Sequence, residues 1–164
     1  MSEKTGRARP TALKLFPFAL ILLADQFLKG WVIGQFQLGQ SRPLILNIVH
    51  LTLVHNTGTA FGLFQDKNFF FVILSVVVIA GLAVLSLKEG KKSDSVFSWV
   101  PLVLLLGGAV GNLIDRLRFG YVIDFIDFRF WPVFNIADSC ITVGIVWLLF
   151  YPLTKKTLQK LTSI

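Results

Sequence analysis

The chain has 164 residues, of which 54% are drawn from AVILMFWYC and only 15% are charged; Phe occurs 16 times and the formal net charge is +7. Soluble domains carry about 25% charged residues, so this composition, with a mean hydropathy of +0.71, excludes water as the main solvent. It also excludes intrinsic disorder, which needs low hydrophobicity and high charge, and a disulfide scaffold, because Cys140 has no partner cysteine.

A helix that crosses hydrocarbon needs about 20 largely apolar residues, and the first candidate span, 15–33, is interrupted by Asp25, Gln26 and Lys29. Asp25 and Lys29 lie one helical turn apart and can pair, which lowers the cost of both at membrane depth. An outward segment, 34–68, follows. In it Val49, Leu51 and Leu53 alternate with His50 and Thr52, the period-two pattern of a half-buried strand, with His50, Thr52 and Asn56 expected on one face. A small sheet on the outer surface is therefore expected. Asn56 opens the block NTGTAFG (56–62), where two glycines allow a tight turn and Phe61 offers an aromatic ring near the interface. His50 and His55 are five residues apart and would point to opposite faces of a strand, whereas zinc needs three or four converging ligands, so no metal site is expected.

Residues 69–87 and 96–114 read as clean spans, and Gly107, Gly108, Ala109 and Gly111 in the latter include a GxxxG spacing that signals close helix packing. Asn112, Asp115 and Arg116 sit where this span leaves the membrane. Asp115 and Arg116 are adjacent, cannot face each other on a helix, and each needs another partner; they either anchor the helix end or form a shell that holds other carboxylates and the substrate backbone. The second outward segment, 115–135, contains GYVIDFIDF (120–128). In extended form it puts Asp127 on the face of Arg129, a ready salt partner, and leaves Asp124 among Val122, Ile126, Phe128 and Phe130. A carboxylate on an apolar face is held near its neutral form by desolvation, which marks a candidate acid or base; the bland alternative is an Asp that caps a turn.

The last span, 136–153, opens with Asp138 three residues after Asn135, the spacing of an N-cap residue and an acidic third helical position. Two carboxylates in different environments, one pushed toward neutral and one toward charged, allow one to act as base while the other donates a proton. Such a pair can run hydrolysis by water with no metal, cofactor or nucleophilic side chain. Ser41 and Ser139 lack a visible base or a nucleophile elbow, and Cys140 reads as a small buried apolar residue.

Lys and Arg in short flanks set membrane orientation. They gather at Lys4, Arg7, Arg9 and Lys14, at Lys88, Lys91 and Lys92, and at Lys155, Lys156 and Lys160, which puts both termini in the cytoplasm and explains the net charge without a nucleic-acid partner. The basic start followed by an apolar run has the look of a signal peptide; with no small-x-small site after it and three further spans, it reads as a signal anchor that is kept. The expected architecture is a single membrane-embedded domain, 1–164: an integral membrane, all-α four-helix transmembrane bundle with a small extracytoplasmic β-sheet cap.

Asp25 in the first span, NTGTAFG, GGAVGNLIDR (107–116), GYVIDFIDF and FNIADS (134–139), in that order and in a four-span frame, resemble the lipoprotein signal peptidases. These are the bacterial aspartic intramembrane endopeptidases also called signal peptidase II, and the resemblance covers nearly the whole chain. It implies Asp124 and Asp138 as the catalytic pair, with Asp25, Asn56, Asn112, Asp115, Arg116 and Asn135 shaping the site or holding substrate. It further implies a diacylglyceryl prolipoprotein substrate cut just before its lipidated cysteine, membrane lipid around it, inhibition by globomycin-type peptides, and residence in the bacterial inner membrane with the site near the outer face. The rival readings are a small transporter with proton-relaying carboxylates, which would often show inverted repeats and broken helices, and a non-catalytic scaffold that binds through the GxxxG helix and the outward sheet.

Overall fold

The computed structural model describes residues 11–45, 48–58, 67–92 and 96–162, with side chains for 15–45, 48–58, 67–88 and 99–151. Phe61 and most of the basic residues that carry the orientation argument lie outside these described side chains. The elements in chain order are α1 (Thr11–Gln35), β1 (Ser41–Ile45), β2 (Val49–Asn56), α2 (Asn68–Lys92), α3 (Val96–Phe119), β3 (Val122–Asp127) and α4 (Ile136–Thr162).

Three helices are long and apolar enough to cross a membrane, over Leu15–Gln35, Asn68–Lys88 and Trp99–Phe119; α4 has a shorter apolar stretch, Ile136–Tyr151, among the described residues. The third helix runs further than the 96–114 span expected for it. Asp115 and Arg116 are therefore helical residues on its last turns and not the start of a loop. Gly120 ends α3: its φ of +83° is a left-handed conformation that costs glycine nothing, and its N–H returns to the Arg116 carbonyl at 3.1 Å.

α3 is the hub, packing against α4, α2 and α1. Small residues make this possible, as the GxxxG spacing suggested. A methyl group on Gly107 would meet Ile21 of α1 at 2.9 Å, one on Gly108 would collide with the Ala137 carbonyl of α4, and one on Gly111 would meet the Asp25 carboxylate at 2.8 Å. Gly144 answers from α4, where an added methyl would stand 2.8 Å from Leu105. α2 packs on α3 and turns much of its length outward, with Phe69, Val77 and Leu87 exposed, as expected of a helix whose solvent is lipid.

The three strands form one antiparallel sheet in the order β1–β2–β3. Leu53, Ile123 and Phe125 pack from the sheet onto Val32 and Phe36 at the end of α1, making the main buried apolar cluster. Between Leu51 and Val54 the β2–β3 register shifts: Leu51 pairs with Ile126, but Val54 already pairs with Asp124. β2 thus carries one extra residue, a β-bulge, and everything after it changes face. This corrects two expectations from simple alternation. Thr52 and Asn56 lie on opposite faces, and His50 and His55, paired with Asp127 and Ile123, share one.

Candidate active site

The site is built on the start of α4. Asn135 and Asp138 form a reciprocal capping box: the Asp138 N–H donates to Asn135 Oδ1 at 2.8 Å, and the Asn135 N–H donates to Asp138 Oδ2 at 3.3 Å. The Ala137 N–H donates to Asp25 Oδ1 at 2.9 Å, so a carboxylate from α1 serves another orphan donor of the same helix end. Asp138 keeps Oδ1 for Asn112 of α3, whose amide donates at 2.7 Å.

Asp124 reaches this helix end from β3, and the bulge in β2 brings Asn56 to the same face. Asn56 Nδ2 donates to Asp124 Oδ2 at 2.8 Å, and Asn135 Nδ2 donates to Oδ1 at 2.7 Å. Asn56 also accepts the Gly58 N–H at 3.0 Å, so the turn-initiating role read from the sequence coexists with the contact to Asp124. Burial, followed by the Asp138 charge, pushes the Asp124 carboxyl up to about 7 against the opposing amide bonds of Asn56 and Asn135 and the Lys29 charge.

Behind the two carboxylates lies a buried ionic layer that joins α1 to α3. Lys29 Nζ is 2.8 Å from Asp25, 2.8 Å from Asp115 and 3.0 Å from Asn112 Oδ1. Asn112 Oδ1 also accepts from Asn135 at 3.1 Å. With two donors on its oxygen, the Asn112 amide has one workable orientation, and its NH₂ must face Asp138. Asp115 additionally accepts the Ile123 N–H at 3.1 Å and Gln26 Nε2 at 2.9 Å, tying the layer to β3. The sequence reading found the Asp25–Lys29 pair but did not carry Lys29 or Gln26 into the site. Their signal was present in the sequence: polar residues on one face of an otherwise apolar span.

A cavity of about 660 Å³ opens over this layer, lined on one side by Asn56, Asn112, Arg116, Asp124 and Asp138 and on the other by apolar residues of 128–134 and α4. Arg116 holds its guanidinium carbon 5.3 Å from the centre of the Phe71 ring. Asp25, Asp115 and Lys29 are buried behind the cavity, so of the eight residues selected from sequence, five line it, and Asn135 bonds directly to Asp124.

Other candidates resolve into structural roles. The Ser139 hydroxyl donates to the Asn135 carbonyl at 2.9 Å, and His55 stacks on Tyr121 with ring centroids 4.0 Å apart; burial lowers the His55 pKa. Asp127 is paired with Arg129 as expected, at 3.4 Å. Burial pushes its carboxyl up, but the Thr52 hydroxyl, the Arg129 N–H and the Arg129 charge outweigh this and hold it below the ordinary value.

A family model described as Signal peptidase (SPase) II matches residues 17–154. The lipoprotein signal peptidase of Moorella thermoacetica is 46% identical over 136 residues, covering 81% of this chain and 89% of that protein. That of Halothermothrix orenii is 42% identical over 132 residues, covering 80% and 89%. A solved structure described as a bacterial membrane enzyme, obtained by the in meso method at 2.3 Å resolution, superposes with a TM-score of 0.82 at 31% identity, covering 91% of this chain and 92% of the other. With its apolar helices, its small antiparallel sheet and this kinship, the chain is an integral membrane protease and belongs to the lipoprotein signal peptidase family.

Proposed function

We propose that Asp124 and Asp138 are an aspartate dyad that removes the signal peptide from diacylglyceryl-modified prolipoproteins, cutting just before the lipidated cysteine. The observation that carries this reading is the convergence of the two carboxylates, from β3 and α4, on one cavity, each held by asparagine amides from other elements. Asp25, Asp115, Asp124 and Asp138 gather around the cations Lys29 and Arg116, so a dyad that shares one proton avoids an uncompensated second charge. Asp124, whose carboxyl is pushed up to about 7 by burial and the Asp138 charge, carries the shared proton in the resting site. Asp138, on the N-terminal turn of α4, takes a proton from the attacking water, while Asp124 protonates the carbonyl oxygen of the scissile bond. As the tetrahedral intermediate collapses and the C–N bond breaks, Asp138 gives its proton to the leaving amine and Asp124 takes one back from a hydroxyl of the intermediate, which restores the dyad.

Asn56, Asn112 and Asn135 hold the carboxylates, Arg116 faces substrate backbone from the cavity wall, and Asp25 and Asp115 anchor Lys29 behind it. In this reading α4 is the fourth span and the sheet is a cap on the outer side. The flanking lysines and arginines keep both termini in the cytoplasm of the inner membrane, and globomycin-type peptides occupy the same cavity. Water reaches the dyad from outside while the lipid of the substrate stays in the bilayer.

The test is cleavage of a purified diacylglyceryl prolipoprotein in detergent by the wild type, Asp124→Asn and Asp138→Asn, with folding verified for each. Cleavage before the lipidated cysteine by the wild type and none by either variant supports the dyad. Normal rates in either variant would sink it.

A further inference from the structure

The segment between the two candidate catalytic residues forms a closed loop. At its neck Ile126 and Phe134 exchange backbone hydrogen bonds, N–H to O at 2.7 and 3.0 Å, and the Phe125 N–H joins at 3.0 Å. Phe128, Phe130, Trp131, Pro132 and Val133 of the loop line the cavity. Phe128 stacks near Phe130 and Phe134, at 6.0 and 5.5 Å between ring centroids. Phe130 and Trp131 are nevertheless largely exposed, at 83% and 54%. The position of these rings over the cavity depends on how the turn at 127–129 launches the loop.

A chain of polar contacts reaches that turn from the other side of the sheet. Arg129 is the one non-glycine residue with positive φ among the described residues, at +69°, a conformation that costs an L-residue with a Cβ and persists only when its surroundings impose it. Asp127 imposes it by accepting the Arg129 N–H at 2.7 Å and lying 3.4 Å from its guanidinium. The same carboxylate accepts from Thr52 of β2 at 2.7 Å, Thr52 lies 2.8 Å from the Ser41 hydroxyl of β1, and Arg129 Nη2 closes the circuit on Ser41 at 2.7 Å. All three strands are thereby tied to the turn that launches the loop.

We propose that this Ser41–Thr52–Asp127–Arg129 clasp is a positioning device that fixes loop 128–133 as the apolar wall on which an acyl chain of the lipid-modified substrate lies. The proposal rests on the reading of the substrate given above. The wall suits hydrocarbon: its lining is aromatic and aliphatic, Pro132 offers no N–H to a peptide backbone, and it continues along Ile141 and half-exposed Val143 of α4, an apolar helix. The clasp residues lie on the sheet face away from Asp124, so they act on the loop and not on the dyad.

The test compares wild type, Asp127→Ala, Asp127→Asn and Arg129→Gly on two synthetic lipopeptide substrates that differ only in acyl length, one long and one short. Asp127→Ala is expected to raise KM for the long-chain substrate by about five- to tenfold, the loss of contact with one or two methylenes, with kcat changed less than about twofold. For the short-chain substrate the KM change shrinks. Asp127→Asn, which keeps an oxygen for the Arg129 N–H, recovers most of the affinity. Arg129→Gly tolerates the backbone without strain and keeps the N–H bond to Asp127 while losing the guanidinium contacts to Ser41 and Asp127, so it stays folded and shows a smaller KM rise of the same chain-length dependence. An unchanged KM in both Asp127→Ala and Arg129→Gly, or a loss in kcat alone, overturns the clasp. An equal KM rise on both substrates overturns the acyl-chain assignment, since the wall would then be touching peptide. A wild type that cleaves neither substrate overturns the underlying reading of function instead.

Discussion

Asp124 and Asp127 stand three residues apart on β3, yet the two faces of that strand have made them opposites. Asp124 looks into the cavity, where burial and the charge of Asp138 push its carboxyl up to about 7. Asp127 looks the other way, into a hydroxyl, a backbone N–H and a guanidinium that hold it below the ordinary value in spite of burial. Burial alone therefore does not make a carboxylate reactive. What separates the two is depth of burial together with the partners: Asp124 is the more deeply buried and has another carboxylate acting on it, whereas Asp127 is held by the Thr52 hydroxyl, the Arg129 N–H and then the Arg129 charge.

The largest effect that would break this comparison is loss of catalysis. Asp124→Asn and Asp138→Asn are each expected to lower kcat by about a thousandfold or more, because each removes a proton-transfer group, while Asp127→Asn stays within severalfold of wild type. Single-turnover cleavage of the lipopeptide checks all three, and comparable losses at Asp127 and Asp124 would erase the distinction. The same pair sets the pH profile. If Asp124 must start protonated, kcat/KM falls as pH rises through about 7, with an apparent value that belongs to the coupled pair; Asp127→Asn leaves that limb where it is.

The next effect is on the fold. Lys29 is 1% exposed and lies between Asp25 and Asp115, both fully buried. Lys29→Met leaves two carboxylates in a dry interior without their cation, which typically costs about 3–5 kcal/mol, and it frees the Asn112 amide to rotate away from Asp138. Unfolding in detergent should show the loss. The triple variant with Asp25→Asn and Asp115→Asn should recover much of the stability, a result that separates the ionic cost from a packing cost.

Much of this was legible in the sequence, and for identifiable reasons. Apolar runs, the i,i+4 pair Asp25–Lys29, the Asn135–Asp138 cap and the odd position of Asp124 are all local patterns with fixed periods. The polar face of α1 marks Lys29 as a residue that needs partners, but its contacts with Asn112 and Asp115 cross from α1 to α3, and no spacing within one helix says which partners those are. Asn56 was placed on the wrong face because a bulge has no composition of its own in HLTLV (50–54). The extra residue is fixed by pairing with β3, a strand more than sixty positions away.

That bulge yields the third prediction, and a direct one about how face is chosen. Asn56→Ala removes one of two amide donors to Asp124, and a hydrogen bond to the carboxylate that Asp124 becomes on giving up its proton is worth about 1.5–3 kcal/mol, so a 10- to 100-fold fall in kcat is expected. His55→Ala, one residue earlier but on the opposite face against Tyr121, should change kcat little. Equal losses at both positions would mean that the register change does not aim Asn56 as described.

The smallest expected effect concerns stability, and it carries opposite signs at the two carboxylates. In the unfolded chain both titrate near about 3.9. Asp124 is raised in the fold, so folding takes up a proton between that value and about 7; its ionised form is a burden above pH 7 that is relieved as pH falls. Asp127 is depressed in the fold, so its contribution is present above the unfolded value and is lost as pH falls through the folded one. Thermal midpoints in detergent should therefore show Asp124→Asn gaining on wild type as pH rises from about 4 to about 7 and keeping that lead above it. Asp127→Asn should trail wild type by a smaller margin at neutral pH and close the gap in the acidic range below about 4. Parallel pH curves for the two variants would mean that the two faces of β3 do not differ electrostatically, and the separation of a reactive carboxylate from a structural one on this strand would have to rest on something else.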